Sequence, residues 1–210
     1  LERFLLFRPQ IQQTKILVYL AVINLLAVYI ASQNTDIVYA VGYDEKKIAM
    51  EKMEEALQVI KNKRLIVLDA DKEVLLSFYN DIDPDSTGFI YKDDSPITTG
   101  DGDLISKQTT LKPNFAAVIV GELIKANISR GDTIAVGMTG SMPGANIALL
   151  AACEAMDIHA VIISSLGSSQ YGATEKNYTW IDIETTIYDS EVFENRSIAY
   201  SPGGRGDCLR

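Results

Sequence analysis

Two short turns carry the side chains in this chain best suited to hold or attack an anionic group. The first, Gly137-Met138-Thr139-Gly140-Ser141-Met142-Pro143-Gly144, follows the β-branched, apolar run Thr133–Val136 and leads into the alanine-rich stretch Ala145–Met156. The second, Ser164-Ser165-Leu166-Gly167-Ser168-Ser169, follows the apolar run His159–Ile163. A third glycine-rich stretch starts at Pro202, after Arg196–Tyr200, and contains Gly203 and Gly204. Glycines leave backbone N–H groups open to a ligand, and hydroxyls both donate and accept. A helix N-terminus directly behind the first turn adds partial positive charge. A carboxylate or phosphate suits such loops. The candidate ligand-binding residues are therefore Thr139, Gly140, Ser141, Ser165, Gly167, Ser168, Ser169, Gly203 and Gly204. The plainer reading is that Ser141 caps the helix and the glycines only make the turn. Recurrence of the same chemistry after successive strands favours the ligand reading.

Known catalytic patterns fit these turns poorly. The first lacks the Gly-Lys-Ser/Thr ending of a phosphate-binding P-loop and the G-x-G-x-x-G spacing of a dinucleotide site. A nucleophile elbow needs glycine two residues before the serine, where Thr139 stands before Ser141. The one histidine, His159, begins the next parallel strand. A five-residue strand at about 3.3 Å per residue would put it roughly 16 Å from Ser141, beyond any Ser–His hydrogen bond. A Ser–Lys arrangement through Lys107 or Lys176 remains open, and Asp101 or Asp103 is a candidate base for an enzyme acting at these loops. No pattern names a cofactor. The aspartates of Asp81–Gly88 do not make a calcium loop, since Ser86 and Lys92 stand where Gly and Glu are required, and a solvated acidic turn is expected. Cys153 and Cys208 have no zinc spacing. Arg205-Gly206-Asp207 is a chance-level tripeptide match at a strand end.

The elements that must position the turns follow from periodicity. Strand, tight loop, helix and second strand over residues 133–163 make a βαβ unit, with both loops at one edge of a parallel sheet. Pro113 opens a helix through Ala126, with Phe115, Val118, Ile119, Leu123 and Ile124 at helical spacing. A helix is expected from Asp44 through about Arg64, and Leu65–Asp71 reads as a brief strand or a continued helix, with a further helical segment through Tyr79. Phe89–Tyr91 reads as a strand and Asp93–Asp103 as a polar loop. A helix from Tyr178 or Thr179 to Ser190 and a strand at Arg196–Tyr200 complete the domain. The alternation predicts an α/β fold, a doubly wound, mostly parallel sheet over residues 44–210.

Upstream, residues 1–15 form a basic flank, residues 16–32 an almost unbroken apolar run, and residues 33–43 a short connector. The run is just long enough to cross a bilayer and apolar on every face, which predicts a single-pass anchor. Ala31 and Ser32 leave signal-peptide cleavage open. Arg3, Arg8 and Lys15 precede the span, which favours a cytoplasmic N-terminus and an external domain. The chain carries a net charge of −9, and residues 1–32 hold three basic residues and one acidic residue, so −11 falls on the remainder. An acidic domain of this kind does not bind nucleic acid. The last residues run through a glycine-rich turn, and the natural protein is expected to continue.

Four blocks in order, GDTIAVGMTGSMPGANIALLAACEA, VIISSLGSSQYGAT, YTWIDIET and RSIAYSPGGRGD, resemble the bacterial poly-γ-glutamate system protein family. The resemblance spans roughly Ser95 to Asp207, plus the N-terminal anchor in position and type. It implies a process rather than a reaction: a bacterial membrane accessory that works with the proteins making and exporting poly-γ-glutamate. Contact with that polymer is a further implication, and no catalytic residue is carried over. Lys107, Lys112, Lys176, Arg196 and Arg205 are the basic residues near the loops that could meet its carboxylates.

Overall fold

The computed structural model describes residues 14–35, 38–67, 82–84, 87–91 and 94–204. The chain divides into two compact units, Leu1–Ala40 and Val41–Arg210. Among its described residues the first contains one helix, α1 (Thr14–Gln33), none of whose residues is buried. Its 20 residues, at 1.5 Å each, span about 30 Å, the thickness of a bilayer hydrocarbon core. The helix is long and apolar enough to cross a membrane.

The second unit is α/β. Its elements are α2 (Tyr43–Val67), β1 (Thr98–Gly100), α3 (Leu104–Thr110), α4 (Asn114–Lys125), β2 (Thr133–Thr139), α5 (Pro143–Met156), β3 (His159–Ser165), β4 (Ser168–Ser169), α6 (Trp180–Asp189) and β5 (Ser197–Ser201). Three strands form a parallel sheet in the order β2-β3-β5, and β1 pairs in parallel with β4. In register, Thr133 lies opposite His159 and Thr139 opposite Ser165, so both loops leave the sheet at one edge. His159 stands at the other edge, as the sequence required.

The core forms where small residues let elements approach. Ala148, Ala151, Ala152 and Cys153 of α5 are fully buried and pack with Ala49, Met53 and Ala56 of α2 and Ala116 and Val120 of α4. Beneath them Met138, Ala160 and Ile162 line the inner face of the sheet. α5 ends at Asp157, whose left-handed φ of 53° turns the chain into β3. α6 starts at a capping box in which Asp182 accepts from both the N–H and the hydroxyl of Thr179.

Several expectations need correction. Helices on both faces of the sheet are expected, yet the described helices pack on one. The other face leaves Ile163 55% and Ile198 71% exposed. Phe89–Tyr91 is buried but forms no strand. Its role is packing: the Arg64 guanidinium at the end of α2 lies 4.0 Å from the Tyr91 ring centre and donates to the Gly88 carbonyl. α2 runs through Val67 as a continued helix, and the segment expected through Tyr79 lies outside the described residues. Nor is the acidic turn solvated throughout, because Asp83 is buried and accepts from Thr87 N–H, the Thr87 hydroxyl and Gly88 N–H. Thr98–Gly100 and Leu104–Thr110, expected in a loop or left unassigned, are a strand and a helix.

Candidate functional site

β2 delivers the first loop. Thr139 Oγ1 accepts from Ser141 N–H at 3.2 Å, and the buried Asn146 of α5 donates to the Thr139 carbonyl at 2.8 Å. These bonds tie the helix start back to the strand end. α5 begins with Pro143 and has no side-chain cap, so its first N–H groups face the loop without an intrahelical acceptor. Ser141 therefore does not cap it, which removes the plainer role.

The second loop locks onto the first. Gly140 N–H donates to Gly167 O at 3.1 Å, and Gly140 O accepts from the Ser168 hydroxyl at 2.9 Å and from Ala173 N–H at 2.8 Å. Ser141 Oγ accepts from Ser169 N–H at 3.0 Å. The third loop closes on the second, with Leu166 N–H donating to Ser201 O and Gly167 N–H to Pro202 O, each at 2.9 Å. Gly203 has a φ of +76°, and a Cβ there would lie 2.7 Å from Ser165 Cβ. Only glycine fits that approach.

Lys107 sits where the first two loops meet. It lies on α3, a short helix opened by Asp103, whose side chain accepts from Ser106 N–H at 2.7 Å. α3 is pressed against α5 so closely that a Cβ at Gly144 would lie 2.6 Å from Thr110 O. From there the Lys107 ammonium donates to the Ser141 carbonyl and to Ser169 Oγ, the latter at 2.8 Å. The side chain is 4% exposed. Among the described residues, no carboxylate oxygen lies within ion-pair distance of it. Burial lowers its pKa to about 8, an effect that the charge of Asp103 opposes.

The structure thus sorts the nine candidates. Ser141 and Ser169 converge on Lys107, and Gly140, Gly167 and Ser168 build the backbone frame around them. Ser168 is fully buried and serves the frame. Thr139 steers Ser141, and Ser165 and Gly203 form a separate contact at the third loop. Gly204 is exposed. Asp103 is occupied as the cap of α3, and its carboxyl is held below the usual range by Ser106, which leaves it a poor base. Asp101 is exposed. Lys107 is the central residue. The sequence signal for its helix is the Asp103-x-x-Ser106 start, at the end of a stretch that reads as loop.

Several clefts border the domain, and two of them contrast. One of about 250 Å³, lined by Tyr91, Asp94, Ser95, Thr174 and Lys176, shares the chain segment that follows Ser169. Gln170 Nε2 reaches Asp94 at 3.3 Å beside it. The other, about 600 Å³, opens at the opposite sheet edge among Glu154, Asp157, His159, Glu194 and Arg196. It is roomier but brings no hydroxyl cluster together.

Comparison of the chain with family models, curated proteins and solved structures gives no match. The likeness to the poly-γ-glutamate system family therefore rests on the four sequence blocks alone.

Proposed function

We propose that this chain is a bacterial single-pass membrane accessory of poly-γ-glutamate synthesis or export, with its α/β domain outside the cell and its strand-end loops receiving glutamate-type carboxylates. The process is taken from the four sequence blocks. The membrane half draws on α1 and on Arg3, Arg8 and Lys15 ahead of it. The ligand half is carried by one observation: a buried lysine with no carboxylate partner among the described residues, at the meeting point of the first two loops. A buried cation held only by neutral groups favours an arriving anion.

The domain's net negative charge opposes a polyanion at long range, so the local donors must act at short range, where salt screens the rest. Assembly with the synthase and export proteins places the polymer at the loops without long-range attraction. A second reading, a hydrolase or transferase acting on a carboxylate- or phosphate-bearing substrate, draws on the Lys107–Ser169 contact.

The test has two arms. The full chain in detergent is melted with poly-γ-glutamate, α-linked polyglutamate and phosphate, and stabilisation by the γ-linked polymer alone is expected. Equal shifts with the α-linked polymer, or none with either, would remove the ligand half. In cells that make the polymer, loss of this protein should lower its export, and unchanged output would remove the process assignment.

A further inference from the structure

We propose that Ser169 is a nucleophile and Lys107 its base, so that the site forms a covalent acyl-serine intermediate with an ester or amide carbonyl of a carboxylate-bearing substrate. This goes beyond ligand holding at the same loops, and it does not require the ligand to be poly-γ-glutamate. The Ser169 hydroxyl lies 2.8 Å from Lys107 Nζ, within reach for direct proton transfer. Ser169 is partly exposed while Lys107 is buried, so a substrate meets the hydroxyl with the amine behind it.

The partners of Lys107 decide whether it can serve. An ion-paired lysine keeps its proton; Lys107 instead faces a carbonyl and a hydroxyl. The loops around it, 139–144 and 166–173, supply hydroxyls, amides, glycines and the phenol of Tyr171, with no carboxylate. α5 carries no charged residue before Glu154. Among the described residues Asp103 is the one charge shown to act on Lys107, and its oxygen is engaged by Ser106. With a pKa near 8, about one Lys107 in ten is neutral at pH 7 and half at pH 8. Ser141 Oγ fixes the backbone of the nucleophile by accepting Ser169 N–H.

The step balances without a cofactor. Ser169 Oγ bonds to the acyl carbon and its proton passes to neutral Lys107. The C–N or C–O bond breaks as Lys107 gives that proton to the leaving amine or alkoxide. Water then attacks the acyl-serine, its proton going to Lys107 and on to Ser169 Oγ as the acid departs. An amine in place of water gives transfer rather than hydrolysis.

The probe is a fluorophosphonate, which forms a serine O–P bond and releases fluoride. The full chain in detergent is labelled between pH 6 and 10 and mapped by mass spectrometry. Expected is one adduct, on Ser169, with a rate that rises with a midpoint near pH 8. In Lys107→Arg, which keeps the charge and the donors but not the titration, the rate should fall about 100-fold or more, the scale of a positioned base. Ser169→Ala should carry no adduct. A wild-type protein that melts cooperatively yet takes no label overturns the proposal. So does an adduct on another serine, or one on Ser169 whose rate and pH profile are unchanged in Lys107→Arg. Melting with poly-γ-glutamate in the same samples separates the readings, since labelling without polymer binding sinks the polymer assignment alone.

Discussion

Trp180 donates its indole N–H to the fully buried Ser164 hydroxyl at 3.1 Å, joining α6 to the strand that carries the second loop. The bond begins a buried chain. Ser164 Oγ lies 2.7 Å from Ser197 Oγ, Ser197 donates to Glu184 Oε1 at 2.8 Å, and Tyr200 donates to Glu184 Oε2 at 2.9 Å. Every member has a partner, so the carboxylate of Glu184 is tolerated at 2% exposure. Ser164→Ala leaves the indole N–H without its acceptor. It should cost about 1–3 kcal/mol in urea unfolding, with a changed Trp180 fluorescence.

The frame around Lys107 should be equally intolerant at Gly172. A Cβ there would lie 2.4 Å from Ser168 Oγ, 2.7 Å from Gly140 O and 2.8 Å from Ser141 O. Two of those atoms are backbone carbonyls that carry the site. Gly172→Ala should lose about 1–3 kcal/mol of stability by overpacking and slow fluorophosphonate labelling. Gly137→Ala is the control, because a Cβ at Gly137 meets nothing within 4 Å. It should stay within about 0.5 kcal/mol of the parent. Urea midpoints for the two variants decide whether crowding, rather than glycine loss as such, is the cause.

Much of this arrangement was legible in the chain. The β2-α5-β3 unit follows from apolar runs at two different periods separated by glycine turns, and the strands run three and two residues further than their apolar runs, to Thr139 and Ser165. Those last residues are polar, and the ladder with a neighbouring strand holds them extended. Lys107 was harder to see. Its helix is seven residues long with little apolar periodicity, and it exists because Asp103 caps it and Gly144 lets it pack on α5. β1 and β4 are three and two residues long, and each is a strand only through the other. Pairings between residues about 70 positions apart leave no local pattern. The bare outer sheet face was equally hidden, since Ile163 and Ile198 read as core residues by type.

Cys153 gives a readout of the core. It is fully buried in α5, and burial pushes its thiol up to about 12. The thiolate is the reactive form, so the folded protein should not react with iodoacetamide at Cys153 at pH 8. Unfolded chain should react there at the ordinary rate. A Cys208→Ser background removes the second thiol, and mass-spectrometric counting with and without urea checks it. Rapid labelling of Cys153 in the folded protein would mean that α5 opens readily.

Lys107 should also write a sign into the pH dependence of stability. Its folded-state pKa is about 8, against 10.5 for an ordinary lysine. Between those values the unfolded chain holds a proton that the folded chain has released, so raising the pH favours the folded state. The contribution is absent below about pH 8, grows through that window, and is complete above about 10.5. Its slope cannot exceed about 1.4 kcal/mol per pH unit for a single proton. Cys153 and Tyr200, both raised to about 12, and Tyr178, also raised, act in the opposite direction at alkaline pH. They are present in parent and variant alike, so a difference measurement cancels them. Lys107→Met keeps the buried stem and removes the titration. The stability of the parent minus that of Lys107→Met, from urea midpoints at pH 7, 8, 9 and 10, should therefore rise with pH above 8. A flat difference would mean that Lys107 keeps its proton throughout, and it would remove the amine as a base for Ser169 together with the linkage.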